Sequence, residues 1–178
     1  MIEAGDILGF VDESSQSLSA NTHRLWYFEK SRFKRKIAHI RANSIGCFML
    51  NGTDVIAFPR HTKGDDFCRF LEEVRSHNPI NRICLILDNF ATHKAKKVQE
   101  KARFLNIKLI YLPPYSPDLN PIEFIWKSMK RFLSILSIEN TFELIAHVDY
   151  HFRTLALSLS FAQSWMKKFL KDNLNLLG

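Results

Sequence analysis

Short apolar runs divide the chain into candidate strands. Residues 7–11, 82–87 and 107–112 are almost continuously apolar, and each run is followed by polar or turn-forming residues. Runs of this length are typical of strands that are buried on both faces of a sheet. The pattern therefore predicts three central strands, with Asp12 expected at the end of the first and Asp88 at the end of the second.

The first third of the chain carries a second strand pattern. Strand-like stretches lie at 24–28 and 36–50, and an Asn-Gly pair follows at 51–52. Asn-Gly strongly favours a tight hairpin, and residues 53–58 would form the returning strand. We therefore expect an antiparallel meander ahead of the remaining central strands.

Apolar residues recur at helical spacing between and after the strands. The predicted helices cover 65–77, a stretch capped by Thr92, a long stretch capped by Asn120 with Pro121 at its first position, and about 139–153 and 160–172. Residues 113–121 contain four prolines and are expected to be irregular. The alternation predicts one α/β domain over residues 1–178, with a mixed sheet and helices on both faces.

Three acidic residues are expected to converge at one sheet edge. If the strands before Asp12 and Asp88 are parallel neighbours, both carboxylates emerge at the carboxyl edge, where sites form in α/β sheets. Glu123 follows Asp88 after 34 intervening residues, enough for a helix, a strand and a rigid loop. Three carboxylates suit Mg²⁺ or Mn²⁺, and two such ions about 3.5–4 Å apart would clamp a phosphodiester.

Each acid also has a structural interpretation. Asp12 and Asp88 can bond local backbone amides at turns, and Glu123 occupies the acidic position of a capping box that starts at Asn120. Taken singly, each acid fits the structural interpretation better than the functional one. The combination of the three favours a site.

Composition narrows the class of protein. The chain is 46% hydrophobic and 24% charged, which excludes a wholly disordered chain. Three widely spaced cysteines without a CxxC pair argue against a zinc site or a disulfide framework and favour a reducing compartment. No apolar run is long enough to span a bilayer, and the first residues do not resemble a signal peptide. We expect a cytoplasmic protein.

The net charge of +7 is concentrated in two stretches. Residues 30–41 hold six Lys/Arg and no acid, and residues 93–103 are also basic. Such patches bind phosphate backbones, or are simply solvated surfaces. The candidate DNA-binding residues in the first stretch are Lys30, Arg32, Lys34, Arg35 and Lys36.

Two long motifs stand out, LILDNFATHKA at 85–95 and LPPYSPDLNPIEFIWKSMKR at 112–131. They resemble the signature blocks of DDE transposases of the mariner-like and bacterial insertion-sequence group. FVDES at 10–14, followed by Trp26, is similar to the first block of that family, and the 34-residue interval matches its spacing. The resemblance covers residues 7–135 and implies an RNase H-like fold with a mixed five-stranded sheet.

The resemblance also implies roles for particular residues. Asp12, Asp88 and Glu123 would hold two Mg²⁺ or Mn²⁺ ions, with Asp12 between them, and Asn89 and His93 would line the site. His93 could instead serve only as a local helix cap. The proline-rich loop would aim the helix that carries Glu123.

Three residues of that helix have assignments that the motif itself does not fix. Lys127 and Lys130 share its polar side with Glu123 and could hold DNA phosphates or be merely solvated. Trp126 lies on the apolar stripe and is predicted to be core. The other residues of this stripe are Ile122, Ile125, Met129, Phe132, Leu133 and Leu136.

The implied activity is metal-dependent cleavage at transposon ends followed by strand transfer into double-stranded target DNA, by a homodimer. Family members carry an N-terminal helix-turn-helix region, which is expected to be missing here. Either another polypeptide or reading frame supplies it, or the chain is a fragment. Two alternatives stay open. They are an RNase H-like nuclease that cuts without joining, and an inactive DNA-binding remnant of a mobile element.

Overall fold

The computed structural model describes residues 2–17 and 40–169. The predicted strand at 24–28, Trp26 and the beginning of the stretch at 36–50 lie outside these residues. The basic residues of the first stretch lie outside them as well, namely Lys30, Arg32, Lys34, Arg35 and Lys36.

A five-stranded sheet forms the centre of the structure. Its strands are β1 (Ile7–Ser17), β2 (Arg41–Met49), β3 (Val55–Ala57), β4 (Ile83–Leu87) and β5 (Ile107–Tyr111). In the order β3-β2-β1-β4-β5, the first three strands pair antiparallel, whereas β1, β4 and β5 pair parallel. The sheet is therefore mixed, as predicted.

Helices connect the strands and complete the described part of the chain. They are α1 (Gly64–His77), α2 (Lys96–Phe104), α3 (Ile122–Ser134), α4 (Thr141–Ala156) and α5 (Gln163–Phe169). Short 3₁₀ turns lie at Ala91–Lys94, Pro117–Leu119 and Leu159–Phe161. Within the residues described, no helix is both long and apolar enough to cross a bilayer.

Two predicted helix starts are wrong. Thr92 does not cap α2, because residues 91–94 form a 3₁₀ turn and Ala95 adopts an extended ψ of 139° before the helix begins. Asn120 does not cap α3 with its side chain, because its amide donates instead to the backbone oxygen of Val11. In both places a tertiary contact or a tight turn replaces the local cap.

The proline-rich segment is more regular than predicted. Residues 113–121 include the 3₁₀ turn Pro117–Leu119. Proline suits the first position of such a turn because its φ is already fixed and its missing N–H would have had no partner there.

Strand β1 extends beyond Asp12, where it was expected to end. Its pairing with β4 does stop near there, with Phe10 opposite Ile86, but its pairing with β2 continues to Ser17. The polar residues after Asp12 can stay in the sheet because β2 supplies backbone partners for them. Asp12 therefore lies just past the carboxyl end of the parallel pairing.

Helices cover both faces of the sheet, as predicted. On one face α3 and α4 pack against Leu8 and Phe10 of β1. On the other face α1 and α2 pack around Val11, Leu85 and neighbouring side chains. Two separate cores thus fix the sheet from both sides.

Most of the predicted apolar face of α3 is buried, and Trp126 is core, with 1% exposure. Phe132 was assigned to the same face wrongly, since it is 46% exposed and stacks on His151 of α4. One residue turns a helix by about 100°, so Phe132 points away from the sheet while Leu133 points into it.

A close approach between α3 and β2 depends on a glycine. A Cβ on Gly46 would lie 2.7 Å from the Trp126 ring and 2.9 Å from Phe152. Gly46 is also the register partner of Asp12. The packing of α3 on the sheet therefore requires a residue without a side chain at position 46, directly beside Asp12.

We predict that Gly46→Ala lowers the free energy of unfolding by about 1–3 kcal/mol, the usual cost of overpacking a close-packed core. Thermal or denaturant unfolding measures this. Adding Trp126→Phe, whose smaller ring leaves room for the new methyl group, should recover part of the loss. If the losses in unfolding free energy from Gly46→Ala and Trp126→Phe were fully additive in the double variant, the predicted contact would be contradicted.

Candidate active site

A cavity of about 500 Å³ opens at the carboxyl edge of β1, β4 and β5. Its lining includes all three acids singled out in the sequence, Asp12, Asp88 and Glu123. Asn89 and Asn120 line it as well. The structure thus brings the three carboxylates together from positions far apart in the chain.

Strand alternation explains why two of the carboxylates face the same helix. Phe10 and Ile86 belong to the core under α3, and side chains two residues apart point to the same face. Asp12 and Asp88 follow them at that interval. Parallel pairing then places both acids at one edge, on the side of the sheet that carries α3.

Glu123 comes to the cavity in the first turn of α3. Its backbone N–H donates to the backbone oxygen of Asn120 at 3.1 Å, and no side chain caps this helix. Glu123 therefore does not take part in a capping box, which was its structural interpretation. Its carboxyl lies at the cavity, where burial raises its pKa against the opposing charge of Lys130.

Burial and crowding act most strongly on Asp12. Desolvation, with further contributions from the charges of Glu123, Glu13 and Asp88, raises the pKa of Asp12 to about 8. Negative charges gathered in a partly dry site repel one another, and an added cation would relieve that repulsion. The electrostatics of the cavity therefore favour a bound cation.

Asp88 is held on one side by the protein. Its Oδ1 accepts from the backbone N–H of Phe90 at 3.0 Å, so it does make the local turn bond that its structural interpretation required. The same oxygen lies 3.0 Å from Nδ1 of His93, off the line of a hydrogen bond. The Asp88 side chain is 53% exposed, so it is open to the cavity as well.

His93, which was expected to line the site, lies next to Asp88 but is not among the residues that line the cavity. It is fully buried against Phe67, and its Nε2 lies 2.9 Å from Oε1 of Glu13. Burial lowers its pKa, but the hydrogen bond to Glu13 and the charges of Glu13 and Asp88 raise it above the ordinary value overall.

Glu13 is the contact residue that sequence reasoning missed. It follows Asp12 directly, so alternation turns it to the opposite face, towards α1 and α2. The acidic pair in FVDES was the available signal. Because side chains alternate along a strand, two adjacent acids place one carboxylate on each face of the sheet.

The basic residues near the site differ in their surroundings. Lys127 and Lys130 are exposed on α3, and Lys130 lies near enough to Glu123 to oppose the rise in its pKa. In the second basic stretch, Lys97 and Lys101 pair with acids of α1. Much of that stretch is therefore engaged in ion pairs rather than free to bind phosphate.

The donor set fits a hard divalent cation, although no preformed cage is present. Within 2–17 and 40–169, no three His, Cys, Asp or Glu side chains are grouped closely enough to hold one ion. Mg²⁺ does not need such a cage, because it keeps several waters and takes one or two carboxylates together with substrate phosphates. Three carboxylates lining one open cavity fit that requirement.

Comparison with known families decides the assignment. Residues 8–145 match the model of the DDE superfamily endonucleases. The chain belongs to this family. The match contains Asp12, Asp88 and Glu123 and all five strands of the sheet, so the resemblance seen in the motifs extends through the fold.

Solved structures of the Mos1 transposase have the same fold. The mariner Mos1 paired-end complex with Mg matches 93% of this chain and 55% of its own, with a TM-score of 0.69 and 16% identity. The Mos1 transposase catalytic domain with raltegravir and Mn matches 93% and 82%, with a TM-score of 0.61 and 14% identity. These likenesses confirm the predicted RNase H-like fold.

The match to curated relatives is shorter. The uncharacterized protein y4pE/y4sA of Sinorhizobium fredii is 44% identical over 46 residues, which are 26% of this chain and 32% of that protein. The chain likewise spans about half of the Mos1 chain in the paired-end complex.

The raised pKa of Asp12 predicts how the stability of the metal-free protein depends on pH. The ordinary pKa of an aspartate is 3.8, and that of Asp12 in the folded chain is about 8, so the folded state binds its proton more strongly between these values. Its contribution to stability is complete below about pH 3.8 and is lost as the pH rises through about 8.

We therefore predict that Asp12→Asn stabilises the metal-free protein by about 1–3 kcal/mol near pH 8, and by much less near pH 4. Denaturant unfolding of both proteins in chelator measures the difference. A gain of the same size at both pH values would contradict the predicted crowding of charge.

Proposed function

We propose that this chain is the catalytic domain of a DNA transposase that cleaves transposon ends and joins them to target DNA. The observation that carries the proposal is the convergence of Asp12, Asp88 and Glu123 on one open cavity. Family membership supports it, because the family is one of endonucleases.

We propose that Asp12, Asp88 and Glu123 would together hold two Mg²⁺ or Mn²⁺ ions. Bound metal would supply the positive charge that stabilises the transition state and lowers the pKa of an attacking water or hydroxyl. The Mos1 paired-end complexes were solved with Mn and with Mg, which agrees with a divalent metal. Asn89 would help to line the site, and His93 with Glu13 would support Asp88 from below.

The proposed reaction has two steps, and basic residues beside the cavity would bind and orient the DNA. Water would attack the scissile phosphorus, and the bond to the 3′ oxygen would break, leaving a 3′-hydroxyl and a 5′-phosphate. In the second step that hydroxyl would attack a target phosphodiester. The target bond from phosphorus to the 3′ oxygen would break, and the target strand would leave with a free 3′-hydroxyl. Lys127 and Lys130 would hold backbone phosphates beside the cavity, since charged side chains that contact phosphate fix the register of DNA without reading its sequence.

The partners would be double-stranded DNA, as transposon end and as target, and a second copy of the chain. Sequence-specific recognition of the ends would come from a helix-turn-helix region, on this polypeptide or on another. The basic residues Lys30, Arg32, Lys34, Arg35 and Lys36 would add nonspecific affinity for DNA. Such a protein would act in the cytoplasm, at the nucleoid.

We predict that Asp88→Ala abolishes Mn²⁺-dependent nicking of supercoiled plasmid, with a loss of at least about 1,000-fold, because it removes one of three carboxylates at the cavity. Agarose gels of single-turnover reactions measure it. Asp65→Ala removes an acid from the surface of α1 and is the matched control, with activity retained. Equal traces of nicking from wild type and Asp88→Ala would defeat the catalytic proposal and favour an inactive DNA-binding remnant.

A strand-transfer reaction with pre-cut ends separates the transposase from a nuclease of the same fold. A transposase joins the 3′-hydroxyl of a labelled oligonucleotide duplex to plasmid DNA, and a simple nuclease only nicks the plasmid. Joined products that depend on Asp88 would support transposition chemistry. Nicking without any joined product would favour the RNase H-like nuclease.

Charge reversal on α3 tests the proposed DNA contact. Lys130→Glu should weaken DNA binding and reduce the slope of log K against log salt by about 1, the value for one lost phosphate contact. Fluorescence anisotropy at several salt concentrations measures both quantities. Arg103→Glu makes the same change of net charge at the far end of α2, and an equal loss there would assign the effect to overall charge.

A further inference from the structure

Asn120 makes a long-range contact at the position where α3 is about to start. Its side-chain Nδ2 donates to the backbone oxygen of Val11 at 3.1 Å, a residue 109 positions away in the chain. Asn120 is only 2% exposed. Val11 comes immediately before Asp12, so this hydrogen bond reaches the strand at the edge of the site.

The backbone of the same residue holds the beginning of α3. Its carbonyl oxygen accepts from the N–H of Glu123 at 3.1 Å, where a side-chain cap is missing. Asn120 is thus bonded to the neighbour of Asp12 by its amide and to Glu123 by its carbonyl. Two carboxylates of the cavity are linked through one residue.

The orientation of the Asn120 amide is set by this link. Exchanging its nitrogen and oxygen would bring two acceptors together at Val11, so Nδ2 must face the strand. Oδ1 is then buried, with no donor in range among the described residues, although Asn120 lines the carboxylate cavity. An unsatisfied buried acceptor costs about 1–3 kcal/mol, so a gain in stability alone does not explain this side chain.

We propose that Asn120 is a positioning residue that sets the separation of Asp12 and Glu123 and thereby the affinity of the cavity for divalent cations. The inference rests on the proposed function, because it concerns the same three carboxylates. Without the amide, α3 would keep its packing through Trp126, but its first turn would no longer be tied to β1.

Asn51 offers a matched control on the same strand. Its side chain also ties a loop to the backbone of β1, accepting from Leu8 N–H and donating to the oxygen of Asp6, both at 2.9 Å. It lies at the other end of β1, away from the carboxylates. Removing it deletes two such bonds, so its cost in stability should be at least as large as that of removing the Asn120 amide.

The experiment is calorimetric titration of the intact chain with Mn²⁺, without DNA, together with the melting temperature of each variant. Asn120→Ala should bind Mn²⁺ about 10-fold more weakly than wild type, or weaker still, as is usual when a residue that orients metal ligands is lost. Asn51→Ala should melt at a lower temperature and bind Mn²⁺ as wild type does. Asn120→Ser, which keeps a polar group too short to reach Val11, replaces Asn120→Ala if that variant does not fold.

A double-mutant cycle tests whether Asn120 acts through Glu123. In a Glu123→Gln background, removing the Asn120 amide should weaken Mn²⁺ binding no further, because the ligand that it positions is already lost. Independent, additive losses would overturn the inference, and so would unchanged Mn²⁺ affinity in Asn120→Ala. Equal weakening by Asn51→Ala would overturn it too, as an effect of general stability. A wild type that binds no Mn²⁺ would defeat the proposed function first and this inference with it.

Discussion

Parallel pairing of β1 with β4 is the constraint on which the rest of the site depends. The last paired residues are Phe10 and Ile86, and each is followed two positions later by an aspartate on the same face. No local feature could bring Asp12 and Asp88 together across 75 intervening residues. The two apolar cores, one on each face, hold this pairing fixed, so the energy that positions the acids comes from hydrophobic burial.

The same arrangement has an electrostatic cost. The site gathers carboxylates where solvent is partly excluded, and this burial and crowding raise the pKa of Asp12 to about 8. In a protein selected for stability alone, such crowding would be replaced by neutral or apolar residues. Crowded acids that the fold itself forces together are typical of functional sites, where a ligand of opposite charge restores the balance.

Much of the fold and of the candidate site follows from the sequence because both depend on simple periodicities. Strand runs, their turn-forming ends and the helical stripe of α3 were sufficient to predict the sheet, the two helical layers and the convergence of three acids. The errors arose where a residue had two possible partners. Asn120 can cap a helix locally or bond a distant carbonyl, and only the folded chain brings Val11 within its reach. Glu13 and His93 likewise meet on the far face of the sheet, a contact that depends on how α2 packs and not on any spacing in the motif.

Helix α3 joins the stability of the domain to the geometry of the site. Its buried side carries Trp126, which fits against Gly46 because that position has no side chain, and its first turn carries Glu123. Gly46 is in register with Asp12, so the contact that seats the helix and one of the acids lies at the same level of the sheet. A small shift of α3 on the sheet would therefore move Glu123 relative to Asp12. Core packing holds the body of the helix. The hydrogen bonds of Asn120 to Val11 and to the N–H of Glu123 hold its beginning, so the backbone of Glu123 is positioned while its carboxyl still reaches the cavity.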